Sequence, residues 1–260
     1  MNITAAGLYL LKTGTYAGFT VGATVDAGVM IHVEDNTIIT SDITLDGDNT
    51  TIEAGSCFDL DTNSADIILN GANCSVFVEN GGALHKISGT GNKCSFDGRG
   101  KDTLINSDTD GDTIEVTGTH FLIGNCSAQA SSQAGVVATF DLRSKAIAYS
   151  CKVVDSDERG FEIAGTNAKV INGYYITGAA GSKSIDLGAT GGIAYECNVT
   201  GFNWEIDAAD CIITNSLSRS GTCNLTASAV DSIMSACRLL NAPTDSGTGN
   251  VVSNHEVGAF

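Results

Sequence analysis

The chain has 260 residues, with 31 glycines, a single proline, 13 Lys and Arg, 30 Asp and Glu, and a formal net charge of −17. That acidic excess repels nucleic acid and anionic lipid surfaces, and it disfavours polyanionic substrates such as pectate or alginate. So much glycine argues against a helical protein, and no apolar run is long enough to span a membrane as a helix.

Residues 1–39 repeat poorly. They contain GLYLLKTGTYAGFTVGATVDAGVMIHV, which is apolar and weakly charged. A basic start followed by an apolar run of signal-peptide length is lacking, which predicts a protein made and kept in a reducing cytoplasm, or released by lysis. The segment is expected to cap an open end or to dock the protein onto a larger particle.

Residues 40–240 read as repeated coils, loose at first. Ile43-Thr44-Leu45 leads into the turn Asp46-Gly47-Asp48-Asn49, and Phe58-Asp59-Leu60 is the first apolar, polar, apolar triplet. Leu84-His85-Lys86-Ile87 reads as the same triplet with one residue inserted, and Ile114-Glu115-Val116 follows. From Ile123 the repeat is plain: units begin at Ile123, Ala148, Ile171, Ala194, Ile213 and Met234, which by subtraction are 25, 23, 23, 19 and 21 residues apart. Such a period is a solenoid signal.

Each unit opens with a run whose fourth residue is Cys126, Cys151, Tyr174, Cys197, Ser216 or Cys237. A triplet follows: Phe140-Asp141-Leu142, Phe161-Glu162-Ile163, Ile185-Asp186-Leu187, Trp204-Glu205-Ile206 or Cys223-Asn224-Leu225. Units close at Ile147, Val170, Ile193, Ile212 and Ile233. Alternation over three or four residues has strand periodicity, and the bends of Gly, Ser, Asn, Asp and Thr are too short to hold helices. Residues 241–260 contain Pro243 in an exit loop, then a last apolar piece expected to cap the far end or cross to a neighbouring subunit.

This pattern resembles the right-handed parallel β-helix of pectate-lyase-like proteins and phage tailspikes. The resemblance lies in period and composition and covers most of the chain, without a catalytic motif. It implies an all-β, right-handed single-stranded parallel β-helix of about eight or nine coils. Periods of 19 to 25 residues do not suit the left-handed hexapeptide helix.

If the triplet flanks point inward, the middle residues Asp59, Glu115, Asp141, Glu162, Asp186, Glu205 and Asn224 form one outward column. Three jobs suit such a column. It is a solvated acidic face, or a binding surface in which Asp141, Glu162, Asp186 and Glu205 meet a partner or a divalent cation such as calcium, or a glycoside-cleaving set built on Asp141, Glu162 and Asp186. Arg143, Lys145 and Arg159 add a mixed-charge patch beside it. Asp108 to Asp112 carries its glycine too early for an EF-hand loop, residues 178–184 lack P-loop spacing, and the four histidines show no ligand spacing. Nine cysteines without a CxxC pair read as reduced interior thiols.

With no cofactor implied, the expectation is a structural virion protein of a bacteriophage, a capsid decoration protein or small tail spike, trimeric by resemblance. Its partners are copies of itself, capsid or tail proteins and a host surface glycan, with neither nucleic acid nor membrane insertion. The alternative is a polysaccharide lyase or glycoside hydrolase using the outer carboxylates.

Overall fold

The computed structural model describes residues 2–23, 28–99, 103–107, 112–130, 138–156, 159–176, 183–200, 203–219 and 221–258. Among these, the only helical element is a single 3-10 turn, Asp61–Asn63, and no helix is long and apolar enough to cross a membrane. Everything else regular is short strand, and every strand pairing is parallel. One coil illustrates the plan. Ile147–Tyr149 lies in one sheet, Lys152–Ser156 in another and Arg159–Ile163 in a third, before Lys169–Ile171 returns to the first of these, directly beside Ile147–Tyr149. The chain is a parallel β-solenoid.

Two of the three long sheets contain twelve strands each and the other nine. Strands in neighbouring coils are about 4.8 Å apart, so twelve levels make a rod roughly 50 Å long. The coil runs through both ends set apart in the sequence. Gly7–Leu11 pairs with Val29–Val33 and that strand with Thr50–Ala54, while Val251–Ser253 pairs with Ile233–Ser235. Hence there are more levels than the eight or nine expected. Val29–Val33 shows why: Val29, Ile31 and Val33 are buried and Met30 and His32 exposed, a complete strand alternation without the acidic triplet that marks later coils.

The triplet flanks fill the interior. Phe140, Leu142, Phe161, Ile163, Ile185, Leu187, Trp204 and Ile206 are all buried, and the rings of Phe140 and Phe161 stack with centroids 4.8 Å apart. Each fully buried side chain of this size contributes roughly 1.5–3 kcal/mol. All nine cysteines are free and all but Cys57 are buried, as the composition led us to expect. Their column is Cys126, Cys151, Gly173, Cys197, Ser216 and Cys237. The third member is Gly173 rather than Tyr174, which is half exposed and in register with Lys152 and Asn198.

The corners explain both the irregular period and its polar residues. Between the triplet sheet and the next, one residue per level takes a left-handed conformation: Asn49, Asn73, Lys93, His120, Lys145, Asn167, Gly191, Asp210 and Asp231. At the following corner Asn125, Ser150, Asn172, Glu196, Asn215 and Ala236 do the same. A single left-handed residue turns a strand sharply, and Asn and Asp tolerate it better than other non-glycine residues. Corner N–H groups from Asn49 to Asp231 also donate to the next level, as from Asn167 to the Thr190 carbonyl and from Lys145 to the Thr166 carbonyl. Insertions can therefore enter between corners without breaking the ladder.

Candidate functional site

The triplet middles do form one column. Glu115 is in register with Asp141, Asp141 with Glu162, Glu162 with Asp186, Asp186 with Glu205, and Glu205 with Asn224. Below Glu115 the column continues through Ser88, Ile68 and Thr44. Asp59 is not in it. That residue bridges Ile38 and Ala83 on another face of the coil, and its carboxylate accepts hydrogen bonds from the Thr62 N–H (3.0 Å) and hydroxyl (2.6 Å). The Leu84 to Ile87 stretch is not a bulged triplet either, because Ala83–Leu84 and Lys86–Gly89 belong to different sheets and the corner falls between them.

Five carboxylates on adjacent strands would repel one another strongly. The chain interleaves its own cations. Arg143 reaches Asp141 Oδ2 at 2.5 Å and Glu115 Oε1 at 2.9 Å through Nη2. Arg159 pairs with Glu162 and approaches Asp186 Oδ2 at 3.4 Å, and Lys183 Nζ lies 3.0 Å from the same oxygen while also pairing with Glu205. Arg159 and Lys183 are themselves in register, two residues before the interior Phe161 and Ile185. The result is a ladder of alternating charge along the outside of one sheet.

Outward-facing is not exposed here. The side chains of Asp141 and Asp186 are 2% and 6% exposed, against 31% for Glu115 and 20% for both Glu162 and Glu205. Burial pushes the Asp141 carboxyl up to about 8 against the pull of Arg143, with Asp112, Glu162 and Glu115 adding to the rise. Burial likewise raises Glu162, opposed by Arg159. For Lys183 burial works the other way, but hydrogen bonds to Glu205 and Asp186 outweigh it and hold the ammonium charged. The Asp141 and Asp186 carboxylates are thus buried within a network of ion pairs among the column's own side chains.

Sequence reasoning singled out Arg143 and Arg159, and both are in the ladder. Lys145 is not, since it turns a corner. Lys183 was legible only as part of the 178–184 stretch, most of which lies outside the described residues, as do 108–111 and the acidic pair at 157–158. Asp112, the last residue of that aspartate-rich stretch, is described. Its Oδ1 accepts the Ala138 N–H at 2.7 Å, and it comes together with Glu115 and Asp141 so that one carboxylate oxygen from each lies within 4.8 Å of the others.

A second surface went unread in the sequence. Ile147, Ile193, Ile212 and Ile233, which close their sequence units, are in register on the outside of their sheet with Leu122 below, Lys169 between and Val251 above. Val170 lies one position on, in the buried row with Ala148 and Ala194. A parallel outer row holds Tyr149, Ile171, Tyr195 and Thr214. From Leu122 to Ser253, none of the strand residues on this outer face is acidic.

No protein-family model matches the sequence, and no curated protein is significantly similar to it. Among solved structures, the tailspike protein of E. coli bacteriophage HK620 in complex with pentasaccharide is similar at 14% identity with a TM-score of 0.38, and a double mutant of that tailspike with the same ligand at 15% and 0.40. A single mutant in complex with pentasaccharide gives 16% and 0.35. The matches cover 94% of this chain but 59% of the tailspike chains, so this chain spans about three fifths of their length. Strand order and register, taken from the chain itself, establish the parallel β-helix.

Proposed function

We propose that this chain is a structural virion component of a bacteriophage, a capsid decoration protein or small tail spike, which associates through the outer face from Leu122 to Val251, where no strand residue is acidic. The observation that carries the reading is the contrast between that face and the rest of the molecule. At a net charge of −17, copies repel wherever carboxylates face each other. They can meet along the Ile and Tyr rows, where Leu122, Tyr195, Ile233 and Val251 are 39%, 38%, 37% and 50% exposed and Lys169 is the one charged residue. Three copies packed on this face form a trimer whose outer surfaces are the acidic ladder and the corners. The occupant is thus a second and third copy of the chain, since an acidic or neutral partner gains nothing from the missing charge that a like-charged copy does not gain more.

The carboxylate ladder supports a structural role in the same sense, because Arg143, Arg159 and Lys183 already engage its carboxylates in ion pairs. Residues 1–39 are the segment proposed to attach the rod to the particle. Leu8 and Leu10, 72% and 55% exposed, are the apolar groups it offers. Contact with a host surface glycan belongs to the same proposal.

Mass spectrometry of gradient-purified particles from the source tests this reading. The chain should band with the particles in whole multiples of three copies and should be lost from them when residues 1–39 are deleted. Recovery only from the soluble lysate contradicts the proposal.

A further inference from the structure

The ladder is not balanced along its length. Its upper part sets Glu162, Asp186 and Glu205 against Arg159 and Lys183, three acids to two bases. The lower part sets Asp112, Glu115 and Asp141 against Arg143 alone. One more positive charge is missing there than above.

Geometry supplies a place for it. The three carboxylates each bring an oxygen within 4.8 Å of the other two. Arg143 takes Glu115 Oε1 and Asp141 Oδ2, and the Ala138 N–H takes Asp112 Oδ1. Asp141 Oδ1 is left over. That atom is buried, on a side chain 2% exposed, and has no hydrogen-bond partner among the described residues. A buried carboxylate oxygen without a partner has lost its hydration with nothing in return, so its persistence beside two further carboxylates calls for a ligand.

We propose that Asp112, Glu115 and Asp141 bind one divalent cation of the calcium class, with the free Oδ1 of Asp141 as its buried ligand. The donor set is all oxygen, which suits a hard cation and excludes soft metals that seek thiolate or imidazole. Charge agrees: three carboxylates and one guanidinium leave a formal −2, which one divalent ion cancels. The irregular ligand set, half-exposed on the Glu115 and Asp112 side, favours calcium over magnesium, which demands a near-octahedral site. Asp186 Oδ1 in the upper ladder is also buried without a partner, but there Arg159 and Lys183 stand in register with Ala138, and no group of three carboxylates converges on it among the described residues.

Calorimetric titration of calcium into the chelator-treated full chain tests the site. The wild type should bind close to one equivalent, and its melting temperature should rise with calcium concentration. Asp112→Asn keeps an oxygen for the Ala138 N–H and so leaves the coil intact, yet should weaken binding about tenfold or more. Glu205→Gln, in the upper ladder, should bind as the wild type does. Absence of saturable binding in the wild type overturns the proposal. So does unchanged affinity in a folded Asp112→Asn/Asp141→Asn double variant, with folding judged by its β-type circular dichroism.

Discussion

Arg159 and Lys183 are register partners on adjacent strands, two cations stacked about 4.8 Å apart at the backbone on the outside of one sheet. Like charges in that relation destabilise a sheet. Asp186 resolves the conflict, because its Oδ2 lies 3.4 Å from Arg159 Nε and 3.0 Å from Lys183 Nζ on a side chain 6% exposed.

Replacing one cation should therefore cost more than a surface ion pair would. Lys183→Met leaves Asp186 and Glu205 facing each other, with the former buried, and should destabilise by roughly 2–4 kcal/mol. Adding Asp186→Asn should return a good part of that loss, a coupling readable in a double-mutant cycle of urea midpoints. Additive losses would show that the pair is not coupled.

The thiols give a pH signature. An unfolded cysteine ionises near 9.0, whereas burial pushes Cys197 up to about 12 and Cys223 well above its ordinary value, and Cys126 is raised above all by its hydrogen bond with Cys151. As pH rises the unfolded chain loses thiol protons first. Stability present below about pH 9 is then lost as pH climbs toward about 12. At pH 8 iodoacetamide should label Cys57 alone in the native protein and all nine cysteines after denaturation, counted by intact mass. Rapid native labelling of Cys126 or Cys197 would contradict the buried columns.

The corners predict a pair of opposite effects. Lys145 holds φ at 59°, where a side chain costs roughly 1 kcal/mol, so Lys145→Gly should be neutral or stabilising by up to about 0.5–1 kcal/mol. Gly118 is tied by close packing instead. A Cβ there would lie 1.9 Å from the Gly91 carbonyl oxygen one level below. Gly118→Ala should thus destabilise by about 3 kcal/mol or more, because backbone must move. Thermal denaturation of the two variants decides between these signs.

Much of the coil was legible in the sequence, for a physical reason. In a parallel solenoid each level meets its own equivalent, so the Phe140, Phe161, Ile185 and Trp204 triplets had to recur, and their middle residues had to align. Asp59 misled because an apolar, polar, apolar triplet reports alternation but not which sheet holds it. The outer Ile row was hidden for a related reason. Ile147 and Ile193 neighbour the buried Ala148 and Ala194, and hydrophobicity alone ranks the outward residue as the core one. Nor could spacing within the chain bring Asp112 to Asp141, 29 residues on by subtraction, since that proximity arises only from register.

Association through the Ile and Tyr face is the central claim, and native mass by light scattering tests it most directly. The wild type should weigh about three times 26.6 kDa, and Ile193→Asp/Ile212→Asp, which places carboxylates in the middle of the face, should weigh one. A wild-type monomer, or a trimer unchanged by those two substitutions, would contradict the account.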